Sequence, residues 1–103
     1  MMKKTVVAVA ASLFLGGGIA GAAEQSGEAL FKQHCAVCHV NGGNIINPQK
    51  TLSKKDRQAN NVKSVEDILK KVRNPGPGMT QFDTKALPDK DARKIAEYIL
   101  KTF

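Results

Sequence analysis

The stretch Cys35-Ala36-Val37-Cys38-His39 spells C-x-x-C-H, the pattern by which a haem is attached covalently to a protein chain. On one helical turn, two thiols at this spacing can reach the two vinyl groups of a porphyrin, and the imidazole that follows lies under the iron. The motif therefore predicts one haem c, attached by two thioethers from Cys35 and Cys38, with His39 as the proximal iron ligand.

Three other interpretations of the two cysteines compete with haem. A thioredoxin-type C-x-x-C motif occurs in a βαβ context, and the sequence has no strand pattern. A structural zinc site needs four ligands, and beyond the motif only carboxylates and His34, which is pinned beside Cys35, remain to supply one. A disulfide between cysteines three positions apart closes too short a loop to stabilise a fold, and it leaves His39 unexplained. The sequence therefore favours haem.

The size of the chain points the same way. With 103 residues, 42% hydrophobic, 5% aromatic and no Trp, it is one small domain whose side chains supply little core. Two cysteines exclude a disulfide scaffold. A buried porphyrin would provide the apolar nucleus that the side chains lack.

The N-terminus has the pattern of a secretory signal peptide. Basic Lys3 and Lys4 precede an apolar run from Val6 to Leu15 and a tail of small residues. We therefore expect residues 1–23 to be a signal peptide and residues 24–103 to be a monohaem domain in the periplasm, or in a compartment like the thylakoid lumen if the source is photosynthetic. Haem attachment outside the cytoplasm is consistent with export.

An uncleaved membrane anchor is the alternative for this segment. Thr5 to Ala23 holds no charge for 19 residues, which is near the length needed to span a bilayer. The triple glycine at positions 16–18 and the small-residue tail favour cleavage. No stable membrane anchor is therefore expected.

The remaining chain predicts four helices and no strands. Apolar residues recur at helical spacing, and each segment begins with a residue suited to a helix N-terminus. The predicted starts are Ser26, Ser53, Ser64 and Pro88, and the last helix runs to about Lys101. The predicted fold is all-α, with about four helices wrapped around one covalently bound haem and joined by long loops.

Met79 is the candidate for the distal iron ligand. It is the one Met outside residues 1–23, and it lies 40 positions beyond His39 on a polar loop rich in Pro and Gly. A Met that fills a gap in the core is the alternative. His34 is tied near the proximal side by Cys35 and is expected to be a surface or packing residue. Met/His ligation occupies both axial positions, which suits electron transfer and argues against an enzyme.

Taken together, these residues resemble those of the class I cytochromes c, and the chain is most similar to the cytochrome c6 group. The features that carry the resemblance are CAVCH, Gly27, Phe31, GGNII at 42–46, KTL at 50–52, Met79 with Phe82, and Tyr98. The resemblance implies terminal helices that cross near Gly27, Phe31 and Tyr98. It also implies Cys35 and Cys38 as haem attachment sites, with His39 and Met79 as axial ligands.

Two positions depart from the family. The family usually follows its ligand Met with Pro-Ala-Phe, whereas this chain has Thr80, Gln81 and Phe82. Many members have Gln near the haem where this chain has Lys71. The family's stiff ligand loop and high potential are therefore not carried over, and neither is its photosynthetic partner.

Positive charge is concentrated in one part of the chain. The formal net charge is +7, and residues 50–73 hold eight basic and three acidic residues, which equals the whole excess left after residues 1–23. We expect this region to steer a redox partner with an acidic docking surface. The alternative is an ordinary solvated surface. A single Tyr, export and the lack of a recognition motif argue against nucleic acid.

The predicted function is that of a soluble, exported, monomeric one-electron carrier between redox proteins, with no catalytic residues. A haem-based sensor or a peroxidase-like enzyme is the alternative, and it would need a labile Met79. A membrane-held module of a respiratory complex is a third hypothesis, which depends on whether the N-terminus is processed.

Overall fold

The computed structural model describes residues 24–103, so the predicted signal peptide lies outside the described residues. Within this range the chain forms four α-helices and no strand, which confirms the all-α prediction. The helices are α1 (Gly27–His34), α2 (Lys54–Ala59), α3 (Val65–Arg73) and α4 (Asp89–Thr102), with a short 3-10 turn at Val40–Gly42. None of the helices in residues 24–103 is long and apolar enough to cross a membrane.

Hydroxyl caps fix where the first three helices begin. Ser26 Oγ accepts a hydrogen bond from the Ala29 N–H at 3.1 Å. Ser53 and Ser64 accept in the same way from the backbone N–H groups three residues further along, at 3.3 and 3.1 Å. Each bond satisfies a donor that has no partner inside its helix. The three starts predicted from the sequence are therefore confirmed.

The last helix starts differently. Pro88 occupies the N-cap position without a side-chain hydrogen bond, and Asp89 and Asp91 lie in the first turn. Their carboxylates are stabilised by the positive end of the helix dipole. The helix ends at Thr102, one residue beyond the expected end.

A crossing of α1 and α4 organises the core. A Cβ atom on Gly27 would lie 2.3 Å from the carbonyl oxygen of Lys94 and 3.0 Å from Cβ of Tyr98, so the two backbones can approach this closely only with glycine. Next to the crossing, the Phe31 ring lies 5.4 Å from the ring of Tyr98 and 5.5 Å from that of Phe103, measured between centroids. The crossing is where the family resemblance places it.

Few side chains fill the core. Leu87 and Ile95 are the largest fully buried side chains of the described residues. The other buried apolar residues are Leu30, Phe31, Cys35, Ile68, Val72, Ala92, Ala96 and Ile99. Several of these residues also line a cavity beside the core. The packing is therefore built around a space that side chains do not fill.

The loop at residues 40–49 is ordered by Asn44. Its Oδ1 accepts hydrogen bonds from the backbone N–H groups of Ile46 at 3.0 Å and Asn47 at 2.8 Å. Its Nδ2 donates to the carbonyl oxygen of Lys50 at 2.9 Å. One amide side chain thus holds both ends of the turn, and this fixes the loop against the cavity.

Candidate haem site

The four predicted haem contacts line the same cavity. Its volume is about 280 Å³, and Cys35, Cys38, His39 and Met79 all border it. The first three follow α1 directly, whereas Met79 lies on the segment between α3 and α4. The fold therefore brings residues 40 positions apart in the sequence to one site.

The attachment motif forms a single turn after α1. The backbone N–H groups of Cys38 and His39 donate to the carbonyl oxygen of Cys35 at 3.2 and 2.9 Å. Both thiols are free. Burial raises the pKa of the Cys35 thiol to about 11, so this thiol stays protonated at neutral pH. A thioredoxin-type centre needs a cysteine with a lowered pKa, and Cys35 does not meet that requirement.

A backbone carbonyl orients the imidazole of His39. Nδ1 lies 2.7 Å from the carbonyl oxygen of Gly43, and a proton on Nδ1 donates to that oxygen. In the tautomer with the proton on Nδ1, Nε2 is the nitrogen with a free lone pair, and such a nitrogen on an oriented ring is what a metal requires. The sequence did not single out Gly43, although the Gly42-Gly43 pair signals a tight approach of the chain to His39.

The walls of the cavity are largely apolar, as a porphyrin requires. They come from α3, α4 and the loops between the helices. The apolar lining side chains include Leu52, Val62, Ile68, Val72, Phe82, Ile95 and Ile99. A flat aromatic macrocycle would bury its faces against such side chains and stabilise the fold through the hydrophobic effect.

Arg57 gives the cavity a polar end. Its side chain is only 6% exposed, and Nε donates to the carbonyl oxygen of Leu52 at 2.7 Å. None of the ion pairs within residues 24–103 includes this guanidinium. A buried guanidinium without a carboxylate is costly, and haem carries two carboxylates, which arginine binds well. The residues around the cavity therefore fit haem at both its apolar and its acidic parts.

Arg57 and Arg73 change the interpretation of the basic region. The sequence counts both with the positive charge of residues 50–73, but Arg57 is buried and Arg73 pairs with Asp89. Six lysines of the region are exposed and make no ion pair within the described residues. They are Lys50, Lys54, Lys55, Lys63, Lys70 and Lys71. The sequence could not predict that Arg57 is buried, because this residue lies in a stretch rich in charged residues.

His34 is the histidine that a zinc site would have needed beyond the C-x-x-C-H motif. The His34 ring packs edge-on against Phe82, with 5.9 Å between centroids, so it is a packing residue at the edge of the cavity. Across residues 24–103, no group of three or more His, Cys, Asp or Glu side chains is arranged to hold a metal ion. The structure gives the zinc interpretation no support.

Comparisons with known proteins agree with this geometry. Residues 22–99 match the family model described as cytochrome c oxidase, cbb3-type, subunit III. Cytochrome c6 of Cyanidium caldarium is 38% identical over 76 residues, which cover 74% of this chain and 68% of that protein. Cytochrome c6 of Synechocystis is 37% identical over 100 residues, which cover 91% and 82% of the two chains.

Solved structures show the same likeness. The outer membrane cytochrome OmcF of Geobacter sulfurreducens is 46% identical, with a TM-score of 0.74 over 76% of this chain and 99% of that one. Cytochrome c6C of a Synechococcus species is 32% identical, with a TM-score of 0.69 over 75% and 93% of the two chains. The chain is therefore similar to small haem proteins with this arrangement of helices.

Proposed function

Because the chain belongs to the class I c-type cytochromes and has cytochrome c6 proteins among its relatives, we propose that it is an exported one-electron carrier with a single haem c. In this proposal Cys35 and Cys38 form the thioethers, and His39 and Met79 are the axial ligands. The observation that supports it most is that these four residues line one largely apolar cavity.

Haem supplies an iron that alternates between the ferric and ferrous states by gaining or losing one electron. The chain's own residues would hold the surroundings of the iron fixed during that change. The Gly43 carbonyl holds His39 in one orientation, and with Met79 as the second ligand the iron would have no position open for oxygen or peroxide. The apolar walls of the cavity would keep water from the faces of the ring. Electron transfer then needs no catalytic residue, which separates this proposal from the sensor and peroxidase alternatives.

A redox titration of the exported holoprotein tests this function. We expect one electron per haem, a spectrum with a sulfur-to-iron band in the oxidised state, and no binding of carbon monoxide by the reduced protein at neutral pH. The reason is that His39 and Met79 would occupy both axial positions of the iron. Carbon monoxide binding together with peroxide turnover would contradict the carrier and favour the haem enzyme.

The partner in this proposal is a redox protein with an acidic docking surface. No carboxylate of residues 24–103 forms an ion pair with the six exposed lysines between Lys50 and Lys71, so their ammonium groups are available to a partner. Such a surface attracts an acidic partner and raises the rate of encounter. We infer that the carrier acts as a soluble monomer in the periplasm.

Salt should slow this encounter. We expect the second-order rate with an acidic redox protein to fall by about tenfold between low and physiological ionic strength, because salt screens charges on both surfaces. The measurement is stopped-flow electron transfer. The double variant Lys54→Glu and Lys55→Glu should lower the low-salt rate much more than Lys85→Glu, an exposed lysine outside the region. A rate that is flat with salt would remove the docking proposal.

A further inference from the structure

The segment that carries Met79 is anchored to the end of α3. We call residues 74–82 the ligand loop. At its far end, the Phe82 N–H donates to the carbonyl oxygen of Val72 at 2.9 Å. The Gln81 side chain donates through Nε2 to the carbonyl oxygen of Arg73 at 2.8 Å. Two hydrogen bonds therefore join the two residues after Thr80 to the last turn of α3.

Arg73 adds a third hydrogen bond and links the ligand loop to α4. Its Nη1 donates to the carbonyl oxygen of Phe82 at 3.1 Å, and its Nη2 donates to Oδ1 of Asp89 at 2.5 Å. The Arg73 side chain is 23% exposed, whereas that of Asp89 is 70% exposed. One rigid, planar guanidinium thus connects α3, the ligand loop and α4. The flexible ammonium of a lysine would make such a connection poorly.

The other side of Met79 is held much less firmly. Pro75-Gly76-Pro77-Gly78 precedes it, Gly78 has a φ of +91°, and the Met79 N–H donates to the carbonyl oxygen of Gly76 at 3.4 Å, near the limit for such a bond. No proline follows Met79 to stiffen the chain, since Thr80 occupies that position. The position of Met79 therefore depends mainly on the anchor after it.

We propose that Arg73 is a positioning residue that holds the ligand loop closed, so that the Met79 thioether stays on the iron, with Gln81 as its helper. This inference rests on the proposed role of Met79 as the axial ligand. Opening of the anchor would release the Met79 sulfur and leave its position to an external ligand. The frequency of opening is then set by Arg73 rather than by the stiffness of residues 80–81.

The test is imidazole binding to the oxidised holoprotein, since the rate at saturating imidazole equals the rate at which the thioether leaves. We expect Arg73→Gln to raise this limiting rate about tenfold or more, as for the loss of a hydrogen bond from a charged group. Arg73→Lys should recover part of the wild-type rate because it keeps one donor toward Phe82 or Asp89. The sulfur-to-iron band monitors the same ligand directly.

A matched control is available on α4. Arg93 pairs with Glu66 of α3 at 3.0 Å, so Arg93→Gln removes the same charge and another contact between α3 and α4, away from residues 79–82. It should change the limiting rate less than twofold, since surface ion pairs contribute little. If Arg73→Gln yields no holoprotein, the Gln81→Ala variant at an exposed position tests the proposal instead. We expect it to raise the limiting rate about threefold.

Two outcomes would overturn the proposal, and they are distinguishable. A wild-type protein without the sulfur-to-iron band would overturn both the axial role of Met79 and the role of Arg73. A wild-type protein with the band, in which Arg73→Gln or Gln81→Ala behaves like Arg93→Gln, would overturn the positioning role alone.

Discussion

Replacing Met79 with Ala is expected to abolish the sulfur-to-iron band, lower the reduction potential and allow the reduced protein to bind carbon monoxide. Met/His ligation raises the reduction potential, so its loss should lower that potential by on the order of 0.1 V. This lies within the range of about 0.8 V over which axial ligands vary the potential of haem. The haem should remain attached because the cysteines are untouched. Absorption spectroscopy and a potentiometric titration measure all three effects.

The control for this prediction is Thr80→Ala. Thr80 is an exposed neighbour in the ligand loop with no side-chain hydrogen bond among those of the described residues, and its loss should leave the spectrum unchanged. A Met79→Ala protein that keeps the band would show that the thioether is not the ligand. Residues 24–103 contain no second methionine that could replace it.

Replacing both Cys35 and Cys38 with Ala is expected to leave a chain without covalent haem and largely unfolded. With nothing in the cavity of about 280 Å³, its apolar lining would face water, which costs roughly 25 cal/mol for each Å² of apolar surface that stays exposed. A small domain has a total stability of about 5–15 kcal/mol, so this cost removes most or all of it. Haem staining after denaturing electrophoresis and far-ultraviolet circular dichroism measure the two losses.

Val37→Ala is the control within the same motif. Val37 is 76% exposed, and its truncation should leave attachment and helix content as in the wild type. Each single cysteine variant should retain one thioether and an intermediate stability. A double variant with full helix content and a cooperative unfolding transition would contradict the view that haem completes the core.

Sequence reasoning succeeds here where the signal is local. A serine cap lies three residues from the N–H group that it accepts from, so the starts at Ser26, Ser53 and Ser64 follow from neighbouring residues alone. The C-x-x-C-H turn is equally local, since its hydrogen bonds lie within residues 35–39. The helix starts and the turn formed by the C-x-x-C-H segment could therefore be predicted.

The rest depends on contacts between distant parts of the chain. Arg73 and Asp89 are 16 positions apart, and nothing in either segment shows that the loop between them brings them together. Arg57 lies among lysines and has the sequence signature of a surface residue, yet the path of the chain around the cavity buries it. Both features depend on packing between distant parts of the chain. The charge pattern and the helical period of the sequence could therefore not predict them.

The crossing of α1 and α4 also sets an order of events during folding. Gly27 and Lys94, which meet at the crossing, are 67 positions apart, so α1 can dock only after nearly the whole domain has been made. Contacts this distant form late because the intervening chain must first be closed into a loop. We therefore expect the Cys35–His39 segment beside α1 to stay open until the crossing forms, with its thiols accessible for haem attachment up to that point.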